Sequence, residues 1–205
     1  MKKTRALEEA LLAVRRTYPK LNIENCMSGG QMINALTDGI SQSHWIRDGK
    51  STGMVHARSN IKEALGAAYF LPLAKIQRWT NRPDQTNPDD AELLKFYCRS
   101  VMIGVWGISG DLTKLTPRQR QVMLAEVERY RRLNEFKPGN LYRIIYPERE
   151  ISNLAGIVLY DLSKSRAAVI LFRWIRVAGR LSSGSSHKLL ESFKTSVYDF
   201  RGVNK

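Results

Sequence analysis

Leu7, Leu11 and Val14 recur at the i, i+4 and i+7 spacing of one helix face, which predicts a helix over residues 5–17 that stops before Pro19. Residues 21–25, LNIEN, read as a strand with the polar tip Glu24-Asn25-Cys26, followed by a Ser28-Gly29-Gly30 turn. A short helix over 31–38 leads to a second strand over 40–48, which carries Trp45 and Asp48 at its end. Ile61, Leu65 and Ala68 share one face of a helix beginning near Ser59. Residues 71–79, LPLAKIQRW, read as a third strand running into the polar segment NRPDQTNPDD. There Asn87 is placed as N-cap, Pro88 at the first helical position and Asp89-Asp90 in the first turn. That helix buries Leu93, Leu94, Tyr97 and Val101. GVWGIS, residues 104–109, is a fourth strand with Asp111 beyond its end. Thr116 and Gln119 form a capping box that opens a long helix to about Leu133.

Strands alternating with helices, with reactive groups at the strand ends, predict an α/β fold that forms part of a (β/α) barrel, whose sites lie on that face. The pattern changes at Pro138-Gly139. LYRIIYP, GIVLYDL and AAVILFRW are β-branched and aromatic runs separated by turn signals such as Pro147-Glu148 and Ser163-Lys164, which predicts antiparallel strands. Residues 176–205, rich in Ser, Gly, Lys and Arg, lose this periodicity and read as a mostly disordered tail. SSGSS at 182–186 is the one low-complexity tract, and no internal repeat is evident.

Composition narrows the chemistry. The 205 residues suffice for one sizeable domain, or for one and a half smaller ones. No apolar run approaches the roughly 20 residues of a membrane span. The start, MKKTRALEEALLAVRR, becomes charged again too soon for a signal peptide, so a cytoplasmic location is favoured. Cys26 and Cys98 lie far apart, and His44, His56 and His187 lack paired ligand spacing. No metal site, disulfide framework or cofactor is therefore indicated. The net charge of +14 is spread over small clusters, Arg15-Arg16, Arg118 with Arg120, and Arg129 with Arg131 and Arg132, without interleaved aromatic residues. This reads as solvated helix faces rather than a specific nucleic-acid surface.

The stretch ENC-x-SGG at 24–30, W-x-x-D at 45–48, GISGDLTKLT at 107–116 and NLYRIIYP at 140–147 together resemble glycoside hydrolase family 36, the α-galactosidases, over roughly residues 5–175. The resemblance implies that residues 1–136 are the C-terminal half of a (β/α)8 TIM barrel. Residues 137–175 would then start an antiparallel β-sandwich, with 176–205 a divergent tail. It implies a retaining mechanism on terminal α-galactosides with two carboxylates flanking the scissile bond. Asp48 falls at the family's acid/base, and Cys26 and Gly29 fall at its galactose contacts. Asn25, Ser28 and Trp45 complete the expected sugar site, Trp45 by stacking under a ring.

The family's nucleophile, in an earlier lysine-x-aspartate motif, has no counterpart in this sequence. The expectation is a glycosidase piece that is inactive alone and pairs with an N-terminal barrel half or with a second copy, since four strands cannot close a barrel. Each residue also has a plainer reading. Asp48 fits a turn before Gly49, Trp45 and Cys26 fit core packing, Ser28-Gly29-Gly30 fits a tight turn, and Asn25 and Asp111 fit structural caps. Arg47, Ser51, Gln31 and Met32 depart from the family pattern. Arg47 and Lys50 set cationic charge beside a carboxyl that must carry a proton to act as an acid. Two rivals therefore stand beside the glycosidase: a non-catalytic carbohydrate-binding remnant and a basic protein that binds nucleic acid without sequence specificity.

Overall fold

The computed structural model describes residues 2–26, 29–31, 33–48, 54–139, 141–145, 154–173 and 193–199. The chain divides into two compact units, Met1–Val122 and Met123–Lys205.

The first unit alternates helix and strand: α1 (Lys2–Thr17), β1 (Glu24–Asn25), α2 (Ala35–Ile40), β2 (Ser43–Trp45), α3 (Met54–Ala67), β3 (Ile76–Asn81), α4 (Ala91–Arg99) and β4 (Val105–Ser109). α5 (Pro117–Asn134) begins in this unit and continues into the next. The four strands form one parallel sheet in the order β1-β2-β3-β4. Consecutive parallel strands need a crossover of the opposite polarity, and the helices supply it. α3 buries Ala57, Ile61, Ala64 and Leu65, with Ala68 just beyond its end, the stripe expected from the sequence. Ile61 and Leu65, both fully buried, each contribute roughly 1.5–3 kcal/mol by leaving water.

Several boundaries differ from expectation, each for a local reason. α2 starts at Ala35 because Asn34 caps it: its side-chain oxygen accepts from the amides of Leu36 and Thr37, while Thr37 Oγ1 accepts from Asn34 N. Residues 73–75 are a 3-10 turn after Pro72, so the third strand begins only at Ile76 and runs two residues past Trp79. α4 is capped by Asp90, which accepts from Leu93 N at 2.9 Å, whereas Asn87 closes a tight turn on Asp89 N at 3.0 Å. The capping box at Thr116 and Gln119 forms in both directions, at 2.9 and 3.2 Å.

The second unit holds an antiparallel sheet of β5 (Tyr142–Ile145), β6 (Leu154–Asp161), β7 (Arg166–Arg173) and β8 (Phe193–Asp199), in that order. Ala155, Ile157 and Leu159 of β6 pair with Phe172, Ile170 and Ala168 of β7, which makes one continuous buried face. Residues 193–199 correct the expectation of a disordered tail, since they pair with β7 along its length from Arg166 to Phe172. The remaining tail residues, 176–192 and 200–205, lie outside the described residues.

Candidate functional site

Side chains alternate between the faces of a strand, so the register sorts the first sheet. Asn25 pairs with His44 and His44 with Ile76, which puts these three on one face. Trp45 pairs with Gln77 and Trp79 with Gly107, which puts Trp45, Gln77, Trp79 and Gly107 on the other. The first face lies under the helices and is buried, with His44 and Ile76 at 0% exposure. The second is open, and Trp79 is 39% exposed on it.

At the C-terminal ends of β1 and β2 two loops meet. Gly29 and Gly30 have φ values of +62° and +91°, conformations that L side chains rarely adopt. A methyl group on Gly29 would lie 2.6 Å from the amide nitrogen of Asp48 and 3.0 Å from Cα of Arg47. The glycine turn therefore rests directly on the backbone that presents Asp48. Trp45 Nε1–H donates to Asp48 Oδ1 at 2.8 Å and orients the carboxylate.

Arg78 holds this loop from the buried face: its guanidinium donates to the carbonyl of Arg47 at 2.9 Å, ion-pairs with Glu63 at 3.1 Å and reaches Asn60. It also lies 5.7 Å from the centre of the Trp45 ring. Burial lowers its pKa, the Glu63 carboxylate opposes that, and Arg47 adds to the lowering. Arg47, expected to sit against Asp48, pairs with Glu63 instead.

Cys26 is exposed beside the same site. Partial burial raises its thiol pKa, and the nearby Glu24 and Asp48 carboxylates raise it further. A protonated thiol is a small polarisable contact and a poor nucleophile.

Asn25 stands on the sheet face opposite Trp45. Its amide does not join the face that carries Trp45; Nδ2 lies 3.1 Å from His44 Nδ1. His44 Nε2 in turn faces Asp38 Oδ1 at 3.0 Å, and Lys75 Nζ reaches the same oxygen at 2.8 Å. The result is a polar chain between β1, β2 and α2 that fixes the strand end from behind. Asp111, at the end of β4, accepts from Thr113 N and Thr113 Oγ1, which accounts for it as a cap. Ser28, Gly49, Lys50 and Ser51 lie outside the described residues.

The structure thus gathers Gly29, Trp45 and Asp48, places Cys26 beside them and turns Asn25 away. The sequence reading missed Arg78, His44, Asp38 and Trp79. Trp79 was within reach of period-two counting once the strand was allowed to run to Asn81. The other three depend on contacts between elements. Among the described residues no group of three or more His, Cys, Asp or Glu could hold a metal ion.

No protein-family model matches the chain. α-Galactosidase AgaA of Geobacillus stearothermophilus is 25% identical over 189 residues, 91% of this chain and 24% of that protein. α-Galactosidase 1 of Pediococcus pentosaceus is 27% identical over 169 residues, 81% of this chain and 22% of that protein. The chain resembles part of the family 36 α-galactosidases. A solved structure of an AgaA variant in complex with raffinose shares the fold, with a TM-score of 0.68 and 17% identity, over 92% of this chain and 30% of that one. The chain spans about a quarter of the length of the curated relatives it matches.

Proposed function

We propose that this chain is a part of a retaining α-galactosidase-like glycosidase, the part that carries the acid/base and one side of the galactosyl site. Asp48 is the acid/base: as an acid it protonates the glycosidic oxygen, and as a base it then deprotonates the water that releases the sugar. Cys26, Gly29 and Ser28 contact the galactosyl ring, and Trp45 both orients Asp48 and offers an apolar surface. Asn25 acts from behind, through His44. The nucleophile comes from outside this sequence, so the chain alone does not hydrolyse galactosides.

The observation that carries this reading is the convergence of Gly29, Trp45 and Asp48 at the C-terminal ends of adjacent parallel strands, the end where barrel enzymes build their sites. The pairing of Arg47 with Glu63 supports it, because the cation expected beside Asp48 is directed elsewhere. The sheet order β1-β2-β3-β4 suits half of a (β/α)8 barrel, with β1 and β4 completed by further strands from an N-terminal half or a second copy. The antiparallel sheet suits the start of the β-sandwich.

The test is complementation. The chain is co-expressed with the N-terminal barrel half of an AgaA-type enzyme and assayed on p-nitrophenyl α-galactoside. The expected result is activity from the pair and none from either half, with loss of activity in Asp48→Asn. An assembled pair whose activity survives Asp48→Asn contradicts the assignment. A stable pair that binds galactose but never turns over favours the non-catalytic carbohydrate-binding reading.

A further inference from the structure

We infer that Glu63, on α3, is a positioning residue for Asp48: it draws the guanidinium groups of Arg47 and Arg78 onto its own carboxylate and so keeps their charge off the carboxyl that has to carry a proton. This role rests on the proposed assignment of Asp48 as acid/base and deepens it by naming the group that sets its charge surroundings.

Three observations carry it. First, two cations converge on one carboxylate. Arg47 Nη1 donates to Glu63 Oε1, and Arg78 Nη2 lies 3.1 Å from Oε2, so each oxygen takes one guanidinium. The meeting point is sheltered, with the Glu63 side chain 20% exposed and that of Arg78 5%. Arg47 and Arg78 oppose each other's charge, and the carboxylate between them offsets this.

Second, the two arginines are held differently. Arg78 also donates to the carbonyl of Arg47 at 2.9 Å and to Asn60 Oδ1, which keeps it in place without help from Glu63. Arg47 has a side chain 56% exposed, and among the described residues Glu63 is its carboxylate partner. Freed from Glu63, it can turn to the carboxylate that follows it in the chain.

Third, the charges around Asp48 balance with Glu63 in place. Glu24 stands at the end of β1 beside Cys26, whose thiol responds to the Glu24 and Asp48 charges. Arg47 adjoins Asp48 after β2, Arg78 reaches the same loop from β3, and Glu63 reaches it from α3. Trp45 Nε1–H, which donates to Asp48 Oδ1 at 2.8 Å, is a neutral donor. Among the described residues these elements thus supply two cations and two anions. Removing the Glu63 charge leaves a cation in excess, and a nearby cation favours the ionised carboxylate. An acid catalyst needs the opposite, a carboxyl that keeps its proton until the glycosidic oxygen takes it.

The test is a 13C NMR titration of the Asp48 carboxyl in the full chain without sugar, its signal assigned by its loss in Asp48→Asn. Glu63→Gln should move the midpoint down by about 0.5–1 pH unit at low salt. Adding Arg47→Met to it should bring the midpoint most of the way back, which a purely structural loss at Glu63 would not allow. Glu63→Asp, which keeps the charge on a shorter arm, should fall between wild type and Glu63→Gln. Circular dichroism checks each fold, and Glu63→Asp carries the test if the glutamine variant does not fold. A midpoint unmoved or raised in the folded variant, or a drop that persists in full when Arg47→Met is added, would overturn the inference. Because no sugar is present, this result is separate from the complementation assay: a lowered midpoint together with activity that survives Asp48→Asn would leave the charge arrangement standing and sink the acid/base reading.

Discussion

Gly29 and Asp48, from loops after neighbouring strands, pack so closely that a single methyl group on the glycine would stand 2.6 Å from the aspartate's amide nitrogen. The contact is between backbones, so no side-chain rotation can relieve it. Gly29→Ala is expected to cost about 1–3 kcal/mol from its φ of +62° alone. It should also push the Asp48 loop away from Trp45. A lowered urea midpoint together with weakened galactose binding would bear this out. An alanine variant with unchanged stability and affinity would mean that the two loops do not rest on each other.

Asp38 makes the first unit sensitive to acid. Burial alone would raise its pKa, but hydrogen bonds from Lys75 and His44 and their charge outweigh that and hold it below the ordinary range. The unfolded chain takes up the proton near pH 4, and the folded chain only at lower pH. The stabilisation is therefore complete above about pH 4 and is lost as pH falls through the lowered folded value. Lys75→Met should reduce stability at neutral pH and flatten the decline below about pH 4. Urea midpoints measured across that window test the sign; parallel declines in the two proteins would contradict it.

Lys137 gives the second unit a dependence of the same sign in a more alkaline window. Its ammonium is buried, 4.3 Å from the centre of the Tyr130 ring, and burial pulls its pKa down to about 7. The unfolded chain keeps that proton to about pH 10.4. Between the two values the unfolded state binds more protons, so stability rises with pH. Lys137→Met should remove that rise, and the difference between the two proteins isolates this one group. A slope unchanged by the substitution would show that Lys137 is not buried in its charged form.

The chain's own pattern identified the helices and strands well where one face alone decided the matter. The Ile61 and Leu65 stripe of α3 and the Thr116 and Gln119 box of α5 formed as expected, because both are set by spacing within one element. Boundaries moved where two local signals competed, as at Asn87 and Asp90, where the tight turn took the residues that would have begun the helix. The β8 strand carries strand-forming Phe193, Thr195, Val197 and Tyr198, but it follows a Ser-, Gly- and Lys-rich stretch and its pairing partner is β7, which its own residues do not name.

At the site, Asp48 and Gly29 were visible as motif residues and Trp45 as the aromatic between them. The direction of Asn25 was not, because it follows from register: pairing with His44 commits the amide to the buried face. Arg78 was hidden for the same reason. A strand arginine reads as solvent-facing until α3 brings Glu63 and Asn60 over it.

Galactose titrated into 15N-labelled chain, followed by two-dimensional NMR, tests the central claim most directly. The account predicts saturable shifts concentrated at Cys26, Gly29, Asp48 and the Trp45 indole Nε1–H, with the Asn25 side-chain amide little affected. Shifts confined to the second unit, or none at sugar concentrations in the tens of millimolar, about the upper limit for a weak site, would contradict it.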